Sequence, residues 1–247
     1  MSSHSNLVAL VTGANRGLGL ETARQLAAEG VTVLMAGRNA DAIAAAAGRL
    51  EADGLPVRPL VLDVVDSAQI DAVVDQIERE FGRLDILVNN AGIITGESFF
   101  EPSTRTVTTD ALRQTFEVNL FAPIALTQAL LPLIEKAPAG RIVNLSSILG
   151  SLAVHRDFDS DWGGVKPLAY DSSKAALNMF TIHLAAALKD TPIKVNSAHP
   201  GWVKTELGTD AAPMNVVDGA RTSVALALLD ANGPTGRFVH LGEELPW

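Results

Sequence analysis

A glycine-rich turn set between a β-branched run and a helical segment constrains this chain more than any other feature. Thr12-Gly13-Ala14-Asn15-Arg16-Gly17-Leu18-Gly19 follows the apolar run Leu7 to Val11 and leads into Glu21 to Glu29, which Gly30 ends. Gly13 permits a tight turn, Gly17 lets the backbone approach a diphosphate, and Gly19 allows close packing of helix on strand, with the anion at the helix N-terminus. The spacing is G-x-x-x-G-x-G, which departs from the generic G-x-G-x-x-G fingerprint, and glycines in such a turn can also be purely structural. Whatever follows must continue from a strand, a turn and a helix.

It does so in kind. Short runs rich in β-branched residues predict strands at Leu7 to Val11, Val31 to Ala36, Val57 to Leu62, Ile86 to Asn89, Arg141 to Leu145, Lys194 to Ala198 and Gly236 to His240. Between them, helical periodicity predicts helices at Ala40 to Ala52, Ser67 to Phe81 with Ser67 as N-cap, Asp110 to Glu135, Ala169 to Lys189 and Val216 to Asp230. Strands without polar alternation are expected to be buried on both faces. The pattern predicts an α/β fold: one doubly wound sheet of about seven parallel strands flanked by helices, in a single domain spanning 1–247. Two polar or irregular stretches, 149–168 and 201–215, break the rhythm and are expected to border the active site, because ligands of open α/β sheets bind beyond the carboxyl ends of the strands.

Composition narrows the partners. With 28 acidic against 19 basic residues, the formal charge of -9 offers no general attraction to nucleic acid or an anionic membrane surface. The absence of cysteine excludes disulfides, thiolate metal sites and cysteine nucleophiles, and no metal is expected. Met1 to Asn6 holds no lysine or arginine, and Leu7 to Val11 is too short for a secretory core, which predicts a cytoplasmic chain. The longest apolar tract, Ala122 to Ile134, is shorter than the roughly 20 residues of a membrane span.

Taken in order, the motifs resemble those of the short-chain dehydrogenase/reductase family, a group of Rossmann-type oxidoreductases. The glycine turn matches T-G-x-x-x-G-x-G; Asn89-Asn90-Ala91-Gly92 matches N-N-A-G; Tyr170 and Lys174 match Y-x-x-x-K; Pro200-Gly201-Trp202-Val203-Lys204-Thr205 matches P-G-x-V-x-T. The resemblance implies a nicotinamide cofactor held by Gly13, Asn15, Arg16, Gly17, Leu18, Gly19, Asp63, Val64, Asn90, Ala91, Gly92, Pro200, Val203 and Thr205, with Asp63 at the adenine edge. It implies a catalytic group of Asn119, Ser147, Tyr170 and Lys174, in which Asn119 completes a water-linked proton relay and Lys174 also holds the nicotinamide ribose.

The residues support that reading on physical grounds. Tyr170 and Lys174, four apart on a predicted helix, share a face, and an ammonium beside a phenol is expected to favour its ionised form. Tyr170, the only tyrosine, would exchange a proton with the substrate oxygen, and Ser147 would orient the carbonyl. No acid stands at the end of the second strand, where Met35-Ala36-Gly37-Arg38-Asn39 instead offers Arg38. A cation is disfavoured at a helix start unless an anion answers it, so Arg38 and Arg16 favour NADPH over NADH.

One departure is informative. Ser147 and Tyr170 are 23 positions apart, farther than in most members, and this insertion looks like that of the monomeric carbonyl reductases and plant monoterpenoid ketone reductases. It favours a monomer over a dimer or tetramer. Trp162, Trp202, Phe158, Leu149, Leu207 and Met214 in the two long loops suggest an apolar pocket for a small hydrophobic ketone or aldehyde, and His155 is expected to be solvated. An alcohol dehydrogenase running in the oxidative direction, and a cofactor-sensing module without turnover, are the alternatives.

Overall fold

The computed structural model describes residues 4–99, 101 and 103–247, so Met1–Ser3 of the N-terminal stretch lie outside the described residues. Strands β1 (Val8–Thr12), β2 (Thr32–Gly37), β3 (Val57–Val61), β4 (Ile86–Asn89), β5 (Arg141–Leu145), β6 (Lys194–Ala198), β7 (Phe238–His240) and β8 (Glu243–Glu244) form one sheet. Its order is β3-β2-β1-β4-β5-β6-β7-β8. The first seven strands run parallel, and β8 turns back antiparallel on β7 through Val239↔Glu244 and His240↔Glu243.

Helices α1 (Gly17–Ala28), α2 (Ala40–Ala52) and α8 (Val216–Ala227) cover one face; α3 (Ser67–Phe81), α5 (Ala122–Ile134) and α7 (Leu168–Ala187) cover the other. Alternate residues of each strand feed the two cores. Val11 and Val33 pack with Leu26 and Ile43 on the first face, whereas Leu10 and Leu34 pack with Ile77 and Leu126 on the second. Burial on both faces explains the unbroken apolar sequence of β1. Each such Leu or Val side chain contributes about 1.5–3 kcal/mol.

Several expectations need correction. β8 was not foreseen, because two glutamates carry no strand signal; they pair only as a short exposed edge. β3 stops at Val61, one residue short of the expected Leu62, so Asp63 lies in the connection to α3. Asp66, not Ser67, caps α3: its carboxylate accepts from Ala68 N and Gln69 N. The expected Asp110 to Glu135 helix is α4 (Thr109–Phe116), a π turn over Glu117–Phe121, and α5. Pro123 is the cause: it lacks the N–H that would bond the carbonyl four residues back, on Asn119, and its ring crowds that carbonyl. The combined run Thr109–Ile134 is long and apolar enough to cross a membrane by length and composition, but half of its apolar window is buried against the rest of the domain, as in a core helix.

The chain leaves β1 toward β2 on one side, while β4 flanks β1 on the other, which opens a crevice at the carboxyl ends of these strands. The connections after β1, β4, β5 and β6 meet there. Segment 149–168 has structure of its own: a 3₁₀ turn (Ile148–Gly150), the short α6 (Leu152–Arg156) and a series of turns into α7.

Candidate active site

The glycine turn is tied to the loop after β4. Gly13 has φ +65°, and a β-carbon there would press on the Asn90 amide and Ala91; one at Gly19 would overlap the carbonyl oxygen of Gly13. Thr12 Oγ1 accepts from Asn90 N and Ala91 N, both at 3.0 Å, and Asn90 Nδ2 donates to Thr12 O at 2.7 Å. Asn90 thus braces the turn. No side chain caps the first turn of α1, so the N–H groups beyond Asn15 and Arg16 remain directed at the crevice, as a diphosphate requires. Gly17 faces the methyl of Thr205, and Leu18 borders the same cavity as Pro200, Val203 and Thr205. Val64 and Ala91 border a narrow crevice beside Thr12.

Two cations were expected at a 2′-phosphate. Arg38 is exposed directly after β2, with no ion pair among the described residues. Arg16 instead forms an ion pair with Glu206, at the end of the P-G-x-V-x-T segment, closing that loop over the turn. Asp63 sits half-buried; its carboxylate accepts from Val65 N and its own N–H donates to Gln69 Oε1, so it shapes the connection beside the expected adenine edge.

The expected catalytic side chains converge. Tyr170 and Lys174 are buried on the first turns of α7, with Lys174 Nζ 5.7 Å from the phenol ring centroid. Ser147, at the start of the 3₁₀ turn after β5, accepts from Leu149 N through its hydroxyl and faces the same cavity as the Tyr170 side chain. Lys174 Nζ donates to Leu145 O at 2.8 Å. A β-carbon on Gly92 would lie 3.4 Å from both Asn119 Oδ1 and Lys174 Nζ, so the backbone at Gly92 runs close beside both groups. Asn119 is fully buried in the π turn. Its amide clasps Ile93, accepting from Ile93 N and donating to Ile93 O, both at 2.8 Å, and it also donates to Ser173 Oγ.

The electrostatics reverse one expectation. Burial pushes the Tyr170 phenol up to about 12; the nearby Ser147 hydroxyl opposes this and the Asp171 carboxyl adds to it. The neighbouring ammonium does not depress it, because burial also acts on Lys174, bringing it down to about 8, and that ammonium is turned to the Leu145 carbonyl. At neutral pH the phenol keeps its proton. His199, which sequence reasoning did not single out, is held neutral: burial and then His240 bring it down to about 3. Its Nδ1 accepts from Ile148 N, beside Ser147. The sequence signal was its place directly before Pro200.

Tyr170 and Ser147 face a cavity of about 500 Å³ whose wall is largely apolar, with Phe99, Leu149, Trp162, Val165, Trp202 and Leu207 on it. Both long segments contribute. Phe158, by contrast, is 78% exposed and outside this wall. Met214 lies behind it, against Gly201. His155 is not solvated: Lys166 Nζ donates to its Nδ1 at 2.7 Å, and its Nε2 lies 2.8 Å from Leu149 O and 3.2 Å from Asp171 Oδ2. Burial holds the ring below its usual range and pushes Asp171 up to about 8, so this contact is a hydrogen bond between neutral groups more than an ion pair.

The chain belongs to the short-chain dehydrogenase family, whose model matches residues 7–215, and it is an oxidoreductase of that family. Among its relatives is (-)-isopiperitenone reductase of Mentha piperita, 34% identical over 302 aligned positions that cover 93% of this chain and 95% of that protein. The NADPH carbonyl reductase 1 of Mus musculus is 32% identical, covering 99% and 100%. The NADPH-bound carbonyl reductase from chicken fatty liver superposes with a TM-score of 0.85 at 28% identity, covering 99% of this chain and 100% of that one.

Proposed function

We propose that this protein is an NADPH-dependent reductase of hydrophobic ketones and aldehydes, with Tyr170 as the proton donor. The observation that carries the reading is a buried, protonated phenol beside Ser147 on the wall of an apolar cavity. A bound nicotinamide dinucleotide supplies the hydride. Ser147 and Tyr170 hydrogen-bond the carbonyl oxygen and orient it; as negative charge grows on that oxygen, Tyr170 gives up its proton to it. Lys174 keeps positive charge close to the phenolate that results. Asn119 acts by holding the Gly92–Ile93 backbone around Lys174. A phenol pushed up to about 12 is protonated at neutral pH, the form that can give a proton to the carbonyl oxygen.

For the cofactor, the support is Arg38 exposed at the end of β2 where no acid stands, together with the NADPH-utilising relatives. Arg38→Ala is expected to weaken NADPH binding by about tenfold or more, the scale of a lost charged hydrogen bond, and to leave NADH nearly untouched. Equal losses for the two cofactors would remove the 2′-phosphate assignment. Tyr170→Phe should lower turnover by about 10²–10⁴ with NADPH affinity retained; wild-type turnover would refute the proton-donor role.

A further inference from the structure

Helix α7 starts without a cap of its own: Pro167 occupies the N-cap position and offers no side-chain acceptor. Its first N–H groups are nevertheless satisfied, by side chains from far upstream. Glu97 Oε1 accepts from Ala169 N and Glu97 Oε2 from Tyr170 N, both at 3.1 Å and across 72 and 73 residues. Ser103 Oγ accepts from Leu168 N at 2.9 Å and donates to the Glu97 carboxylate, holding it in place. Gly96, at φ +66° and where a β-carbon would crowd Ala111, makes the turn that delivers Glu97. Two residues on, Phe99 meets the Tyr170 ring edge-on, with centroids 5.3 Å apart. The same segment is anchored at its other end by Asn119 on Ile93.

We propose that Glu97 is a positioning residue for the proton donor, capping α7 at the peptide N–H of Tyr170 itself. This rests on the reading of Tyr170 given above. A carboxylate at a helix N-terminus makes charge-assisted hydrogen bonds along the helix dipole and fixes the first turn more firmly than a hydroxyl would. The turn it fixes carries the phenol whose placement against Ser147 sets the reaction geometry. Loss of the clamp frees the backbone of Tyr170 while leaving the glycine turn, where the cofactor binds, unaltered.

Because Tyr170 is the only tyrosine, full-length protein labelled with 3-fluorotyrosine gives one fluorine resonance that reports on this residue alone. Glu97→Ala is expected to displace that resonance and lower kcat by about tenfold to a hundredfold, with the NADPH Kd unchanged. Glu97→Gln, which keeps an acceptor oxygen, should fall between. Thr108→Ala removes a comparable cap from α4, where Thr108 Oγ1 accepts from Ala111 N, and should leave kcat and resonance as they are. The proposal is overturned by wild-type kcat and resonance in Glu97→Ala, or in Glu97→Gln if the alanine variant does not fold. Equal losses in Thr108→Ala also overturn it. Wild-type turnover in Tyr170→Phe would remove the proton-donor reading instead, a separate outcome from a silent Glu97.

Discussion

Tyr170 and Lys174 show what burial does to a pair that looks simple in sequence. Four residues apart on a helix, they were expected to lower the phenol toward neutrality. In the fold, both are desolvated, and loss of water disfavours the charged form of each: the phenolate for Tyr170, the ammonium for Lys174. Their ordinarily similar values are driven apart, to about 12 and about 8. The residue that titrates in the working range is therefore the lysine. Reductive kcat/KM is expected to fall as pH rises through about 8, when Lys174 loses its charge, while absorbance near 295 nm shows no tyrosinate until far more alkaline pH. A tyrosinate signal that rises together with the activity limb would contradict this assignment.

At the scale of elements, what the sequence revealed depended on how local the signal was. β4, β5 and β6 have the expected bounds, because apolar runs bounded by turn residues need no knowledge of the rest of the chain. The motifs named the side chains that converge at the carboxyl ends of the strands. What stayed hidden was set by contacts between distant segments: the Glu97 clamp on α7, the Arg16–Glu206 ion pair, and the burial of His155 against Asp171. The π turn was in principle legible from Pro123, four residues after Asn119.

The junction between the inserted segment and α7 carries its own prediction. Burial, with a smaller contribution from Glu97 against the opposing Lys166, pushes Asp171 up to about 8 from its ordinary 3.8. A carboxyl raised on folding stabilises fully below its unfolded value, and this share is lost as pH rises toward the folded value. Asp171→Asn is neutral throughout, so its Tm relative to the wild type should climb from about pH 4 to about pH 8 and then level off, by roughly ten degrees or more in all. A difference that does not change with pH would show that Asp171 is ionised in the folded protein.

Across the whole molecule, the parallel sheet delivers four connecting segments to one crevice, and those after β5 and β6 supply most of the wall of a cavity of about 500 Å³. That volume suits a compact ligand of drug-like size, and its apolar wall offers few polar anchors beyond the reacting groups. The net charge of -9 gives no general help in attracting an anionic cofactor, so the proposed NADPH binding would fall to the glycine turn, the α1 N-terminus and Arg38. The most direct test of the account is NADPH consumption by the purified protein over a panel of ketones and aldehydes graded by size and polarity. The account predicts turnover that favours bulky apolar carbonyls, exceeds that with NADH, and is lost in Tyr170→Phe. NADPH binding without consumption across the panel, or turnover unaffected in Tyr170→Phe, would contradict it.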